Sequence, residues 1–148
     1  MSVKIISVAK QLPKYVKETK EIIPFVKQWI QGQESRFQRK VLKLFEAAGV
    51  DRRYSIMDAE EVFMNPSFEE KNDIYVNEVT LLAEQSLLKS LKKAGLEPAD
   101  IDYIVTVSCT GIMIPSVDAY LINNLEMKQD VIRPVSYTHL TLPTNREV

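Results

Sequence analysis

Cysteine and histidine are almost missing from this chain: its 148 residues hold one of each, Cys109 and His139. A single cysteine excludes an internal disulfide and fits a reducing compartment such as the cytoplasm. There is no CxxC pair, no GxGxxG and no Walker loop, which removes the common dithiol and nucleotide-phosphate signatures. No apolar run approaches the roughly 20 residues that a membrane span needs. The short apolar start MSVKIISVA leads into Lys10 and Pro13 without a small-residue cleavage site, so no signal peptide is expected. Neither sign of charge dominates: 19 Lys and Arg against 20 Asp and Glu leave a net charge of −1. That balance gives no bulk attraction to nucleic acid or to an anionic membrane. The acidic residues Asp58, Glu60, Glu61, Glu69 and Glu70 lack metal-ligand spacing, and no metal is expected. What is present is an ordinary globular composition, 45% hydrophobic and 26% charged, in a chain long enough for one domain with a real core.

Periodicity orders the chain as alternating strands and helices. Residues 3–9 (VKIISVA) are β-branched, apolar and short, and predict a strand. Over residues 19–31, Ile22, Val26, Trp29 and Ile30 share a helical face, with Pro24 making the helix start uncertain. Residues 35–48 predict a helix with an apolar stripe of Phe37, Val41, Leu44, Phe45 and Ala48, stopped by Gly49. Residues 52–57 (RRYSIM) read as extended, and residues 58–71 as an acidic surface loop with at most a helical turn. Residues 72–94 predict the longest helix, with Val76, Val79, Ala83, Leu87, Leu91 and Ala94 in register and Gly95 as its stop. Residues 101–109 (IDYIVTVSC) have the near-continuous apolar pattern of a strand buried on both faces. Ser116 is placed to cap a last helix carrying Val117, Tyr120, Leu121 and Leu125. This order predicts a layered α/β domain with a mixed sheet.

Residues 135–148 (VSYTHLTLPTNREV) break the pattern, with no helical stripe after Arg133 and Pro134. They resemble the in-frame translation of a transposon-end adapter, so native sequence is expected over residues 1–134 and a non-native tail over 135–148. A genuine terminal strand is the alternative. His139 falls inside this tail, so a Cys109–His139 nucleophilic dyad is not read from the pair.

Two constellations could carry chemistry. Arg36, Arg39 and Lys43 are spaced by three and four, which puts them on one helical face. A fixed cationic ridge suits a multiply charged phosphate ligand, since Arg offers a planar fork and Lys a mobile point charge. From periodicity alone, a solvated basic face with Glu46 paired to Lys43 is the plainer reading. The second is VSCTGIMIP, residues 107–115, where a strand ends in small polar residues. Ligands gather at the carboxyl ends of strands in α/β sheets. The plainer reading of Cys109 is a small buried hydrophobe.

Three segments in order resemble the chalcone/stilbene synthase family, the type III polyketide synthases. RFQRKVLK (residues 36–43) is similar to the family's coenzyme A helix, DRRYSIM (51–57) to the segment after it, and ADIDYIVTVSCTGIMIPSVDAYLINNL (99–125) to the strand and loop lining the active-site cavity. The SCTG sequence is similar to bacterial-type members. The resemblance implies a thiolase-like fold, of which residues 1–134 would be most of the N-terminal half, and a homodimer. It implies coenzyme A contacts from Arg36, Arg39 and Lys43, and cavity positions for Cys109 and Thr110. Ile114 would reach toward the partner's active site. It also implies an acyltransferase that condenses a starter acyl-CoA with malonyl-CoA, with coenzyme A thioesters as substrates and no separate cofactor. The family's nucleophilic Cys, and its His and Asn, would lie beyond residue 134, so a fragment without activity of its own is expected. The alternatives are a β-ketoacyl-ACP synthase III-like enzyme and a non-catalytic binding or dimerisation module.

Overall fold

The computed structural model describes residues 2–137; residues 138–148, His139 among them, lie outside the described residues. The chain forms two compact units. One is residues 12–71, and the other joins the N-terminal residues through Gln11 to the chain from Asn72 onward.

In the first unit, strand β1 (Tyr15–Glu18) runs straight into helix α1 (Thr19–Trp29). Glu18 and Glu21 form a capping box at the junction, in which the Glu18 backbone N–H donates to the Glu21 carboxylate at 2.7 Å. Pro24 lies in the second turn of α1, where it removes one intrahelical hydrogen bond without ending the helix. Helix α2 (Ser35–Ala47) stops at Gly49, whose φ of +62° is a left-handed conformation that costs glycine little. Strand β2 (Arg52–Ser55) returns antiparallel to β1, with Tyr15 opposite Ser55 and Lys17 opposite Arg53. The corner is clipped by the Thr19 N–H to the Asp51 carbonyl at 2.8 Å and by the Thr19 hydroxyl to the Val50 carbonyl. Short helix α3 (Ala59–Phe63) is capped by Asp58, which accepts from the Glu60 N–H at 3.2 Å.

The core of this unit is Ile22 and Val26 of α1 and Ile30 at its C-cap, packed against Val41, Leu42, Phe45 and Phe63. Two stripe assignments change. Trp29 sits at the edge of the α1 stripe, exposed, with its ring edge-on to Phe63. On α2 the buried face is rotated to Val41, Leu42 and Phe45, while Phe37 and Leu44 flank it in solvent. With 100° per residue, Val41, Leu42 and Phe45 centre about 100° from Phe37 and Leu44, and only one of those arcs can meet α1.

In the second unit the expected strand over residues 3–9 does not form. The segment has no regular structure and no ladder partner among the described residues, and it is tied to helix α4 (Phe68–Ala94) instead. The Ser7 hydroxyl bonds the Ser90 carbonyl at 2.8 Å, and Lys93 reaches the Val8 carbonyl at 3.1 Å. A β-branched run supplies propensity, but a strand also needs a neighbour. Helix α4 starts one turn earlier than its apolar period suggests. Ser67 and Glu70 make a reciprocal capping box, and the hydrogen bonds from the Ser67 N–H and hydroxyl hold the Glu70 carboxyl below its ordinary range. A 3₁₀ turn (Pro98–Asp100) leads to the strand region.

There the regular strand β3 is only Thr106–Ser108, preceded by an isolated bridge of Tyr103 to Ile132. It is covered on one face, not two. Ile104 packs on the core, whereas Tyr103, Val105 and Val107 face solvent. Helix α5 (Val117–Asn124) follows, with Ser116 at the N-cap position but making no side-chain cap hydrogen bond. Strand β4 (Val135–Tyr137) then pairs parallel with β3, so that β3, α5 and β4 form a crossover unit. The core is Tyr75, Met113, Val117 and Leu121, backed by Val76, Val79, Ala83 and Leu87 of α4. Tyr120, expected on the apolar side of α5, is exposed.

The burial difference across α1 and α2 gives a direct check. Ile30 is 2% exposed and Leu44 70%. Ile30→Ala should cost about 2–5 kcal/mol, and Leu44→Ala no more than about 0.5 kcal/mol. Urea unfolding of the two variants, compared at equal slope, reads the difference.

Candidate functional site

The ridge on α2 is built by a simple opposition. Val41, Leu42 and Phe45 are held against α1, so the far side of the helix must point outward. Arg36, Arg39 and Lys43 occupy that far side, all exposed. Over seven residues the helix rises about 10 Å, so the three cations make a short line. None of them has a hydrogen bond or ion pair among the described residues, and the possible Glu46–Lys43 pair is not made. Three unpaired like charges within two turns raise the local potential, and a polyanion would relieve it.

The second constellation is a half-open cavity of about 300 Å³ in the other unit. Its walls are Thr106 to Thr110 along the end of β3, Tyr75, Val79 and Ala83 of α4, and Ser116 and Val117 at the start of α5. Cys109 and Thr110 both lie in this wall, with Sγ and Oγ1 4.0 Å apart. Cys109 is exposed, not a buried filler. Ile114 does not join them: it is 93% exposed and outside the cavity wall.

Three residues that periodicity did not single out hold this wall. The Tyr75 hydroxyl donates to the Ser108 hydroxyl oxygen at 2.8 Å, and Ser108 donates onward to the Gly111 carbonyl at 3.2 Å. The Asn72 side-chain oxygen accepts from the Ile112 N–H at 2.8 Å. Asn72 and Tyr75 are three apart on α4, so both reach the same loop. Asp118, in the first turn of α5, is fully buried; Thr106 donates to it at 3.2 Å and the Arg133 guanidinium stands 3.5 Å away as an ion pair. The N-terminal end of α5 also favours that negative charge. Asp118 thus ties β3, α5 and the segment before β4 together. The spacing of Asn72 and Tyr75 was visible in the sequence, but their partner loop, 33 to 40 residues on, was not. Among the described residues no group of His, Cys, Asp and Glu could hold a metal ion.

The sequence matches the family described as chalcone and stilbene synthases, N-terminal domain, over residues 2–141. The chain belongs to this family. Among curated relatives, the 1,3,6,8-tetrahydroxynaphthalene synthase of Streptomyces griseus is 36% identical over 90 residues, which is 61% of this chain and 24% of that protein. The chain thus spans about a quarter of the length of the curated relatives it matches. Among solved structures, the 1,3,6,8-tetrahydroxynaphthalene synthase of Streptomyces coelicolor A3(2), described as a bacterial type III polyketide synthase, superposes with a TM-score of 0.77 at 28% identity, covering 86% of this chain and 36% of that one. CsyB complexed with CoA-SH shares the fold with a TM-score of 0.74 at 22% identity, over 92% of this chain and 37% of that one. The chalcone/stilbene synthase fold expected from the sequence, thiolase-like and N-terminal, is therefore the fold of this chain. Its strands lie in two two-stranded sheets among the described residues, one antiparallel and one parallel.

In this chalcone/stilbene synthase domain the loop after β3 depends on Gly111 having no side chain. A β-carbon there would collide with the Tyr75 ring and come within 3.0 Å of the Asn72 side-chain oxygen. Gly111→Ala should destabilise by about 1–3 kcal/mol, the usual range for overpacking. Pairing it with Tyr75→Leu, which vacates the ring position, should give less than the sum of the two single costs. Thermal unfolding of the four-member cycle measures the coupling.

Proposed function

We propose that this chain is the N-terminal part of a type III polyketide synthase, an acyltransferase working on coenzyme A thioesters. In the complete enzyme a Cys thiolate accepts the starter acyl group and releases coenzyme A. Malonyl-CoA then loses CO₂, and the resulting enolate attacks the carbonyl of the Cys-bound acyl group, forming the new C–C bond as the acyl–sulfur bond breaks and the Cys thiolate leaves. The observation that carries the assignment of roles is the α2 ridge: Arg36, Arg39 and Lys43 are exposed, unpaired and on one face, as binding the phosphates of coenzyme A requires. A relative of the same fold was solved with CoA-SH, which supports that ligand. Cys109 and Thr110 would shape the acyl cavity without acting as nucleophile. The family resemblance puts the nucleophilic Cys beyond residue 134, and such a thiol needs a base to become a useful thiolate. Ile114, protruding and 93% exposed, would serve the partner's site in a homodimer. No helix among the described residues is long and apolar enough to cross a membrane, and a cytoplasmic enzyme is the reading that goes with coenzyme A substrates.

Charge-assisted hydrogen bonds are each worth about 1.5–3 kcal/mol, so removing all three cations should weaken coenzyme A binding at least tenfold. Calorimetric titration of coenzyme A into the chain and into its Arg36→Ala/Arg39→Ala/Lys43→Ala variant checks this. Equal affinities would remove the ridge from the site. A separate expectation is that the 148-residue chain alone releases no CO₂ from labelled malonyl-CoA. Steady release above the buffer rate would show that it carries its own catalytic group.

A further inference from the structure

The small β1–β2 sheet contains an electrostatic conflict that neither the ridge nor the cavity explains. Lys17 and Arg53 stand directly opposite each other across the ladder, and like charges in that relation destabilise a strand pair. Lys17 is relieved by Asp58 at 3.6 Å and by the Phe25 ring at 5.6 Å. Arg53 is not relieved in the same way. Its guanidinium lies 4.8 Å over the Phe45 ring, no carboxylate pairs with it among the described residues, and its Nε is buried without a hydrogen-bond partner. A buried donor left unmade costs free energy; among the described residues the terminal guanidinium nitrogens are neither paired nor buried, and they are what a ligand in the groove can reach.

Arg53 forms part of the wall of a groove of about 210 Å³. The rest of that wall is largely apolar, with Tyr15, Val16, Ile22, Met57 and Val62 contributing, and its second cation, Lys17, is already paired with Asp58. The nearby Ser55 hydroxyl already accepts from the Met57 N–H at 3.1 Å. Phe45, under the guanidinium, is on the core side of α2, opposite Arg36, Arg39 and Lys43, so the groove is separate from the ridge.

We propose that this groove binds a small apolar monocarboxylate, with its carboxylate on Arg53 and its hydrocarbon body along the apolar wall. A guanidinium presents parallel N–H groups matched to a carboxylate. One unpaired cation balances one negative charge, which favours a monoanion over a phosphate ester. The volume equals that of about seven waters at ~30 Å³ each, the size class of a medium-chain fatty acid.

Octanoate is the probe, titrated calorimetrically into the 148-residue chain alongside octan-1-ol and octylamine. Saturable binding of octanoate near 1:1, at least tenfold tighter than either of the others, is expected. Octan-1-ol binding as tightly as octanoate, or no saturable heat with octanoate, overturns the proposal without any variant. Arg53→Met should weaken octanoate at least tenfold and leave octan-1-ol unchanged, with Arg53→Lys intermediate; an unchanged octanoate affinity in a folded Arg53→Met variant also overturns it. The triple ridge variant should bind octanoate normally, so the fate of this groove is read separately from that of the coenzyme A ridge.

Discussion

The contact between the Tyr75 ring and Gly111 is the constraint on which the cavity depends. Tyr75 is a buried member of the core with Met113, Val117 and Leu121, yet its hydroxyl extends to Ser108 at the rim. One side chain therefore does two jobs. Its ring locks α4 against the loop and α5, and its oxygen fixes the end of β3. Gly111 makes this possible by leaving the space that the ring fills. Once the loop is pinned there, and pinned again by Asn72 at Ile112, Cys109 and Thr110 have nowhere to go but the cavity wall. Asp118 supplies the matching constraint from the other side, through Thr106 and Arg133. A buried carboxylate is tolerable only because it is shared between a hydroxyl donor, a cation and a helix start.

The ridge rests on a different and simpler physics. An amphipathic helix with one face on a core must present the other to water, so burial of Val41, Leu42 and Phe45 is sufficient to expose Arg36, Arg39 and Lys43. No specific hydrogen bond is needed. The ridge is therefore robust to changes that would collapse the cavity wall, because a helical period tolerates substitution of any one surface neighbour.

These two kinds of dependence explain what could be read in the sequence. Features set by local period were legible: α1, α2, the body of α4, α5 and the face shared by the three cations. Capping boxes are legible in principle, but Asn65 and Pro66 give the stretch before Ser67 and Glu70 the composition of a loop, which masks the start of α4. Features set by a remote partner were not. YVKE, residues 15–18, has weak strand character and becomes β1 because RRYS, residues 52–55, pairs with it. VKIISVA, residues 3–9, has strong strand character and pairs with nothing among the described residues. The roles of Asn72, Tyr75 and Asp118 likewise exist only once the chain has folded back on itself. Position within a period says which way a side chain points, and nothing about what it will meet.

The strand region around β3 shows the same limit from the opposite direction. Its residues alternate between Ile104, Thr106 and Ser108 toward α4 and α5, and Tyr103, Val105 and Val107 toward solvent. Both sets read as interior by composition, but they are not equivalent. The inward set is mostly small and polar at the carboxyl end, because there it borders the cavity and bonds to Tyr75 and Asp118. The outward set is large and apolar, the composition of a face that gains roughly 25 cal/mol for each Å² withdrawn from water. Apolarity alone therefore does not mark the covered face, since the apolar set faces solvent, and loss of apolarity along the inward set marks where β3 stops being core and becomes the wall of a cavity.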